Sequence, residues 1–177
     1  MNYQYQIKEK DLLEFQIYTA SKSERINRKK KAGRIIMTII ALFIVLNFYS
    51  ASNIPMTIYF SILAVLLWVF YPRYFKWRYT KMYSDFIVEN YAIRIDQTEF
   101  IEIHKDHIFV KDNTGEGEVN LSDIESLIDV QNSVYVKFTM GTALIMPKDQ
   151  VLNYSEIIDD YKALGIDYID ERAWKWI

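Results

Sequence analysis

Polar and charged positions crowd the chain up to Arg34 and then stop. From Ile35 to Pro72 there is no Lys, Arg, His, Asp or Glu. A helix rises ~1.5 Å per residue and a bilayer's hydrocarbon core is ~30 Å thick, so a span needs roughly 20 residues. The charge-free stretch is too long for one span and suits two. Between its halves "SASNIP" gathers Ser50, Ser52, Asn53 and Pro55, turn residues that end one helix and start the next at Pro. The pattern predicts a transmembrane helical hairpin over residues 32–72, with spans about 33–50 and 54–72. Both segments are apolar all round, which calls for lipid or a very large core. A chain of 177 residues cannot supply that core. A cleaved signal peptide fits poorly, because its charged leader would run to residue 34 and a second span follows.

Other periods flank the hairpin. Tyr3, Tyr5 and Ile7 alternate with polar residues as in a short strand. "DLLE" follows, where Asp11 can cap a helix with Glu14 three residues on. Residues 1–31 therefore read as a strand and a cytoplasmic helix. Residues 73–95, "RYFKWRYTKMYSDFIVENYAI" and its end, read as a cytoplasmic helical extension of the second span. From Glu99 the period falls to two: "EFIEIHKD", "HIFVKD", "EVNL", "SLIDVQ", "VYVKFT" and "TALIMPK" give six short strands. Gly115 and Gly117 are expected in a hairpin loop, Asn132-Ser133 and Met140-Gly141 in tight turns, and Pro147 at the close of the last strand. "SEIIDDYKAL" between Ser155 and Gly165 carries helix start and stop signals. Residues 96–177 are thus predicted as a small antiparallel sheet domain with a C-terminal helix. The fold class is α+β, on a two-helix membrane hairpin. The strand near Tyr3 and the tail "YIDERAWKWI" should both pack on a folded surface, since neither could persist alone.

Charge adds an orientation. The net charge of −2 conceals nine Lys/Arg against four Asp/Glu in residues 1–34, and nineteen Asp/Glu against eight Lys/Arg after residue 81. Eleven basic residues flank the outer ends of the hairpin: Lys22, Arg25, Arg28, Lys29, Lys30, Lys31 and Arg34 before it, Arg73, Lys76, Arg78 and Lys81 after it. The internal turn has none. By the positive-inside pattern, both termini face the cytoplasm. Tyr71, Tyr74, Phe75 and Trp77 add an aromatic belt at the exit. The membrane-interface anchors are therefore Arg28, Lys29, Lys30, Lys31, Arg34, Arg73, Lys76, Trp77, Arg78 and Lys81. A nucleic-acid patch would not need to abut two spans, so no nucleic acid is expected.

Late in the chain, "SVYVKFTMGTALIMPKD" followed by "YSEIIDDYKAL" resembles the YcxB-like family of bacterial membrane proteins. The shared features are a strand, a tight turn, a strand ending in an apolar-Pro-basic triplet (Met146, Pro147, Lys148), and an amphipathic helix. "NLSDIESLIDV" is similar to the family's preceding stretch, with Asn120 or Leu121 where a Trp often stands. The two spans agree as well. The resemblance implies a pleckstrin-homology-like (PH-like) cytoplasmic domain on a two-span anchor in the bacterial cytoplasmic (inner) membrane. It brings no established activity or catalytic residues.

A search for chemistry finds little. There is no Cys, hence no disulfide, thiolate ligand or Cys nucleophile. His104 and His107 have metal-like spacing, but three residues apart on a strand they point to opposite faces and converge only across a bend. "DNTGEGE" lacks the length of a calcium loop, and no phosphate loop, GxSxG or HExxH occurs. No cofactor, metal or catalytic residue is assigned, and no enzyme is expected. The functional expectation is a membrane-anchored interaction module that recruits a protein partner to the inner face of the membrane. The alternatives are a small membrane enzyme or an oligomeric transport component, the latter using homo-oligomers of the spans.

Overall fold

In the computed structural model, residues 2–93, 95–104, 107–112, 115–151 and 153–176 are described, Asp112 by its backbone alone. The chain forms two compact units, residues 17–82 with 176–177, and residues 1–16 with 83–175.

The first unit is built on two long helices, α2 (Glu24–Ser50) and α3 (Ile54–Tyr91), of which α3 runs on past residue 82. Both are long and apolar enough to cross a membrane, and none of their apolar stretch is buried. The turn between them follows the chemistry of its residues. Ser52 adopts φ +57°, and the Asn53 side chain accepts a 3.3 Å hydrogen bond from the Met56 N–H, capping α3 one residue before Ile54. Phe48 and Phe60 stack at 5.0 Å just inside it. Lower down, Gly33 lies so close to the Tyr71 hydroxyl that a methyl group there would overlap it. The sequence predicts a helical extension beyond Pro72. The helix continues through Pro72 to Tyr91, and the missing N–H leaves one carbonyl without its usual donor.

Among the described residues the second unit holds eight strands, one more than the seven expected, in two four-stranded sheets. The first sheet is ordered β1-β2-β3-β4, from β1 (Asn2–Gln6), β2 (Thr98–Ile103), β3 (His107–Asp112) and β4 (Gly115–Asn120), all antiparallel. The N-terminal strand therefore pairs with the sheet domain, with Tyr3 opposite Ile101. Gly115 and Gly117 lie inside β4, opposite Asp112 and Val110, instead of in a loop. The loop itself falls on Asn113 and Thr114, outside the described residues.

The second sheet is ordered β7-β6-β5-β8, from β5 (Ile124–Asp129), β6 (Ser133–Phe138), β7 (Ala143–Pro147) and β8 (Asp167–Asp170). Helix α4 (Tyr154–Ala163) comes between β7 and β8, and β8 pairs with β5 in parallel. The domain is thus not wholly antiparallel and does not finish on its helix. The tail after Gly165 returns to the sheet because β5 still has a free edge for the crossover strand to fill. Strands β5–β7 are buried along most of their length, and β7 is a continuous apolar run. Tyr135 in β6 is fully buried and meets Phe15 of α1 (Glu9–Lys22) edge-on at 5.0 Å.

One local signal acts differently from its expected role, and another acts as expected. Asp11 does not start α1; it sits in the first turn and reaches back to accept the Lys8 N–H at 3.0 Å, the N3 half of a capping box. Helix α4 ends as the sequence suggested. Gly165 takes φ +81°, the Ile166 N–H donates to the Tyr161 carbonyl, and the Gly165 N–H donates to that of Lys162. That is a Schellman stop, which only glycine adopts without strain.

Candidate functional site

Helical spacing along α4 places Ile157, Tyr161 and Leu164 on one face, and the first two are buried. With Asp160, Ala163, Ile103 and His104 they line an apolar cavity of about 820 Å³ in the sheet unit. Ile103 ends β2 and His104 opens the turn into β3, where its N–H donates to the His107 carbonyl at 3.0 Å. This turn supplies the bend that the His-Lys-Asp-His spacing required. The two imidazole rings stack at 4.5 Å with 19° between their planes. His104 Nε2 also lies 3.5 Å from the Glu102 carboxylate. Among the described residues no group of three or more His, Asp and Glu side chains is placed to hold a metal.

The polar groups of the cavity are few and unequal. Tyr161 is 2% exposed, and its hydroxyl has no hydrogen-bond partner among the described residues. Burial pushes its phenol pKa upward, with Tyr3 and Asp160 adding to the rise, so the group stays a neutral donor. Tyr3, across in β1, is raised by burial and by Glu156 and Asp160. Glu156, Asp159 and Asp160 are exposed along the outer side of α4. The arrangement offers an apolar floor, one buried hydroxyl and an acidic rim. Among the described residues the lining contains no Ser, Thr or Cys.

No family model, curated protein or solved structure matches the chain. Its geometry must carry the reading alone.

A second cluster, which the sequence did not flag, sits at the β5–β8 end of the other sheet. Asp129 is 3% exposed. Lys148 Nζ pairs with its carboxylate and also donates to the Val130 carbonyl. Tyr168 Oη donates to Asp129 at 2.8 Å, and Arg172 lies 3.6 Å away while gripping Asp170 through two nitrogens. The Arg172 guanidinium holds the Asp170 carboxyl well below the ordinary range. With its charge met on several sides, Asp129 is a tie between β5, β7 and β8. Lys148 belongs to the apolar-Pro-basic triplet, and that triplet was the available signal.

The ten basic and aromatic anchors selected from the sequence lie on the two long helices. Arg28, Lys29, Lys30, Lys31 and Arg34 occupy the first part of α2; Arg73, Lys76, Trp77, Arg78 and Lys81 lie beyond Pro72 on α3. Arg28 pairs with Glu24 at 2.9 Å, Lys81 sits 6.0 Å above the Trp77 ring, and Lys76 donates to the Trp176 carbonyl. Arg34 stacks on Trp68 at 3.6 Å. None of the ten lines the α4 cavity.

Proposed function

We propose that the chain is a membrane-anchored interaction module of the YcxB-like type, held by α2 and α3 in a bacterial cytoplasmic membrane. Its sheet unit and both termini lie in the cytoplasm. Two helices with no buried apolar stretch support insertion, and eleven basic residues outside the hairpin against none in its turn support the orientation. A four-stranded sheet, a second sheet and a helix after β7 support the PH-like comparison. In this reading β1 is delivered from before the spans and β8 is an addition.

The observation that carries the function is the α4 cavity, apolar within and acidic at its rim. It favours a protein partner presenting an apolar side chain next to Lys or Arg. The balance of −11 over residues 82–177 would draw such a partner. The reading is of a binding module and not an enzyme, on the apolar character of the lining.

The test is affinity capture with the full chain in detergent, beside a variant carrying Asp160→Lys and Leu164→Lys at exposed positions. A protein recovered with the wild type and absent from the variant supports the reading; identical recoveries refute it. Reporter fusions after Lys175 and at Asn53 check orientation. Activity on the cytoplasmic side is expected only for the first.

A further inference from the structure

The two long helices leave a groove between them that starts among cations and ends among hydrocarbon side chains. At its upper end Lys31, Arg34, Ile35 and Ile39 surround a cavity of about 350 Å³. Below it a second cavity, also about 350 Å³, runs past Ala41, Val45 and Ala64. Thr38 and Trp68 line both, so the two are adjoining parts of one channel along the helix pair.

Three features say what the channel is built to take. Its lower half is dry in chemistry: the Thr38 hydroxyl donates to the Arg34 carbonyl and the Ser61 hydroxyl to the Thr57 carbonyl, each at 2.8 Å. Neither hydroxyl needs a partner in the groove, which is left with methyl and methylene surface. From Thr38 to Val45 that surface is roughly 10 Å long, by the helical rise. The upper half is cationic, and among the described residues no carboxylate lines it. Glu24 is the single carboxylate in residues 17–82, and Arg28 takes it. The Arg34 guanidinium carbon sits over the Trp68 ring, 3.6 Å from its centre, and the buried Nε has no partner among the described residues. Stacking on an aromatic face fixes a guanidinium's plane and leaves its edge donors for an acceptor in that plane.

We propose that this channel is a binding site for an anionic phospholipid. Lys31 and Arg34 hold the phosphate, Trp68 backs the glycerol region, and one acyl chain lies between α2 and α3. A charge-assisted bond from Arg or Lys to phosphate is among the stronger hydrogen bonds available. The positions also suit the interface, for Arg34 is the last charged residue before Ile35. The site rests on the membrane reading above and goes beyond the general attraction of basic necks for an anionic leaflet. It assigns the attraction to two residues of eleven and couples it to a hydrocarbon groove.

The test uses the full chain in nanodiscs of phosphatidylcholine with a minor share of phosphatidylglycerol. Lipids that stay bound on release are counted by native mass spectrometry. The wild type should retain phosphatidylglycerol over phosphatidylcholine about fivefold or more beyond their mixing ratio, from ~1 kcal/mol per basic residue near the surface. Lys31→Gln with Arg34→Gln should abolish that preference. Arg25→Gln with Lys29→Gln, the same loss of charge away from the channel, should keep it. Ala41→Phe, which fills the groove, should reduce retention with the charges intact. Equal losses in the two charge variants would mean diffuse attraction and overturn the site. A lipid-free dimer in the wild type would do the same, by giving the groove to a second copy. A chain that leaves its membrane in an alkaline wash would sink the membrane reading itself, whereas equal retention of both lipids sinks only the site.

Discussion

Leu127, Ile101 and Ile108 in the sheet unit are fully buried, whereas Ile36, Leu42 and Leu46 of α2 are 57%, 56% and 53% exposed. The residue types are the same and the rule is reversed. In the sheet unit, apolar side chains find one another through pairings across the sheets, and polar atoms are held at edges or tied in pairs such as Asp129–Lys148. In the helices no partner is sought, since the backbone groups between the ends are satisfied within the helix, apart from the one carbonyl that Pro72 leaves without a donor. A helix is the element that can present apolar surface on all sides without stranding a backbone N–H or C=O. The contrast teaches that the two regions follow opposite burial rules, and the exposed isoleucines and leucines are what the proposed hydrocarbon surroundings of the helices would require.

The comparison can be broken with one substitution made twice. Leu127→Ala removes a fully buried side chain and should cost about 3 to 4 kcal/mol of unfolding free energy. Leu46→Ala faces the proposed lipid and should leave the folding of the sheet unit unchanged, costing about 0.5 kcal/mol of insertion. Denaturant titration of the full chain in detergent, followed by sheet circular dichroism, measures the first. A large loss of sheet stability from Leu46→Ala would mean that α2 is a core helix after all.

The charge rules differ between the regions in the same way. Lys148→Met leaves Asp129 buried with only Tyr168 and the more distant Arg172, and should destabilise the sheet unit by about 2 to 3 kcal/mol. Lys29→Met removes an exposed cation and should change its unfolding by less than about 0.5 kcal/mol. The double variant Lys148→Met with Asp129→Leu should recover much of the loss, because an apolar pair of similar size avoids the unpaired charge. No recovery would show that Lys148 acts through its bond to the Val130 carbonyl.

These cases also mark how far local pattern reaches. The two apolar helices were legible because the absence of charge from Ile35 to Pro72 is a local property that lipid or a core must answer. Most strands and the stop at Gly165 were legible for a similar reason, through alternation and one glycine that takes positive φ. The pairing of β1 with the sheet domain agrees with an argument about sides, in which two spans, if inserted, would return the chain to where it started. What pattern could not supply was partnership at long range. Nothing near Asp167 announces a parallel pairing with Ser126, and "LIDV" does not reveal that Asp129 will meet Lys148, Tyr168 and Arg172. The cavity likewise joins Ile103 to Leu164, residues that meet only once α4 lies by the first sheet. A cut before residue 96, the boundary the sequence suggests, would discard β1 and expose the edge of β2.

The smallest expected effect sharpens the contrast, because it tests a polar tie in the sheet unit by pH alone. Burial and the hydrogen bond to Asp129 raise the Tyr168 phenol from 10.0 to about 12. The neutral phenol is therefore preferred in the folded state, and its contribution is present in full below pH 10, the ordinary range of the unfolded chain. As pH rises from 10 through 12 the folded phenol ionises against the Asp129 carboxylate, and the contribution is lost. At neutral pH Tyr168→Phe should cost about 1 kcal/mol, the net worth of one hydrogen bond. Between pH 10 and 12 the wild type should lose that advantage and converge on the variant. The two stabilities are compared at each pH, so titration of the other tyrosines and lysines is common to both and cancels. A constant difference across this interval would mean that Tyr168 stabilises β8 by packing its ring, which lies 3.6 Å from Lys162 Nζ, and not through its hydroxyl.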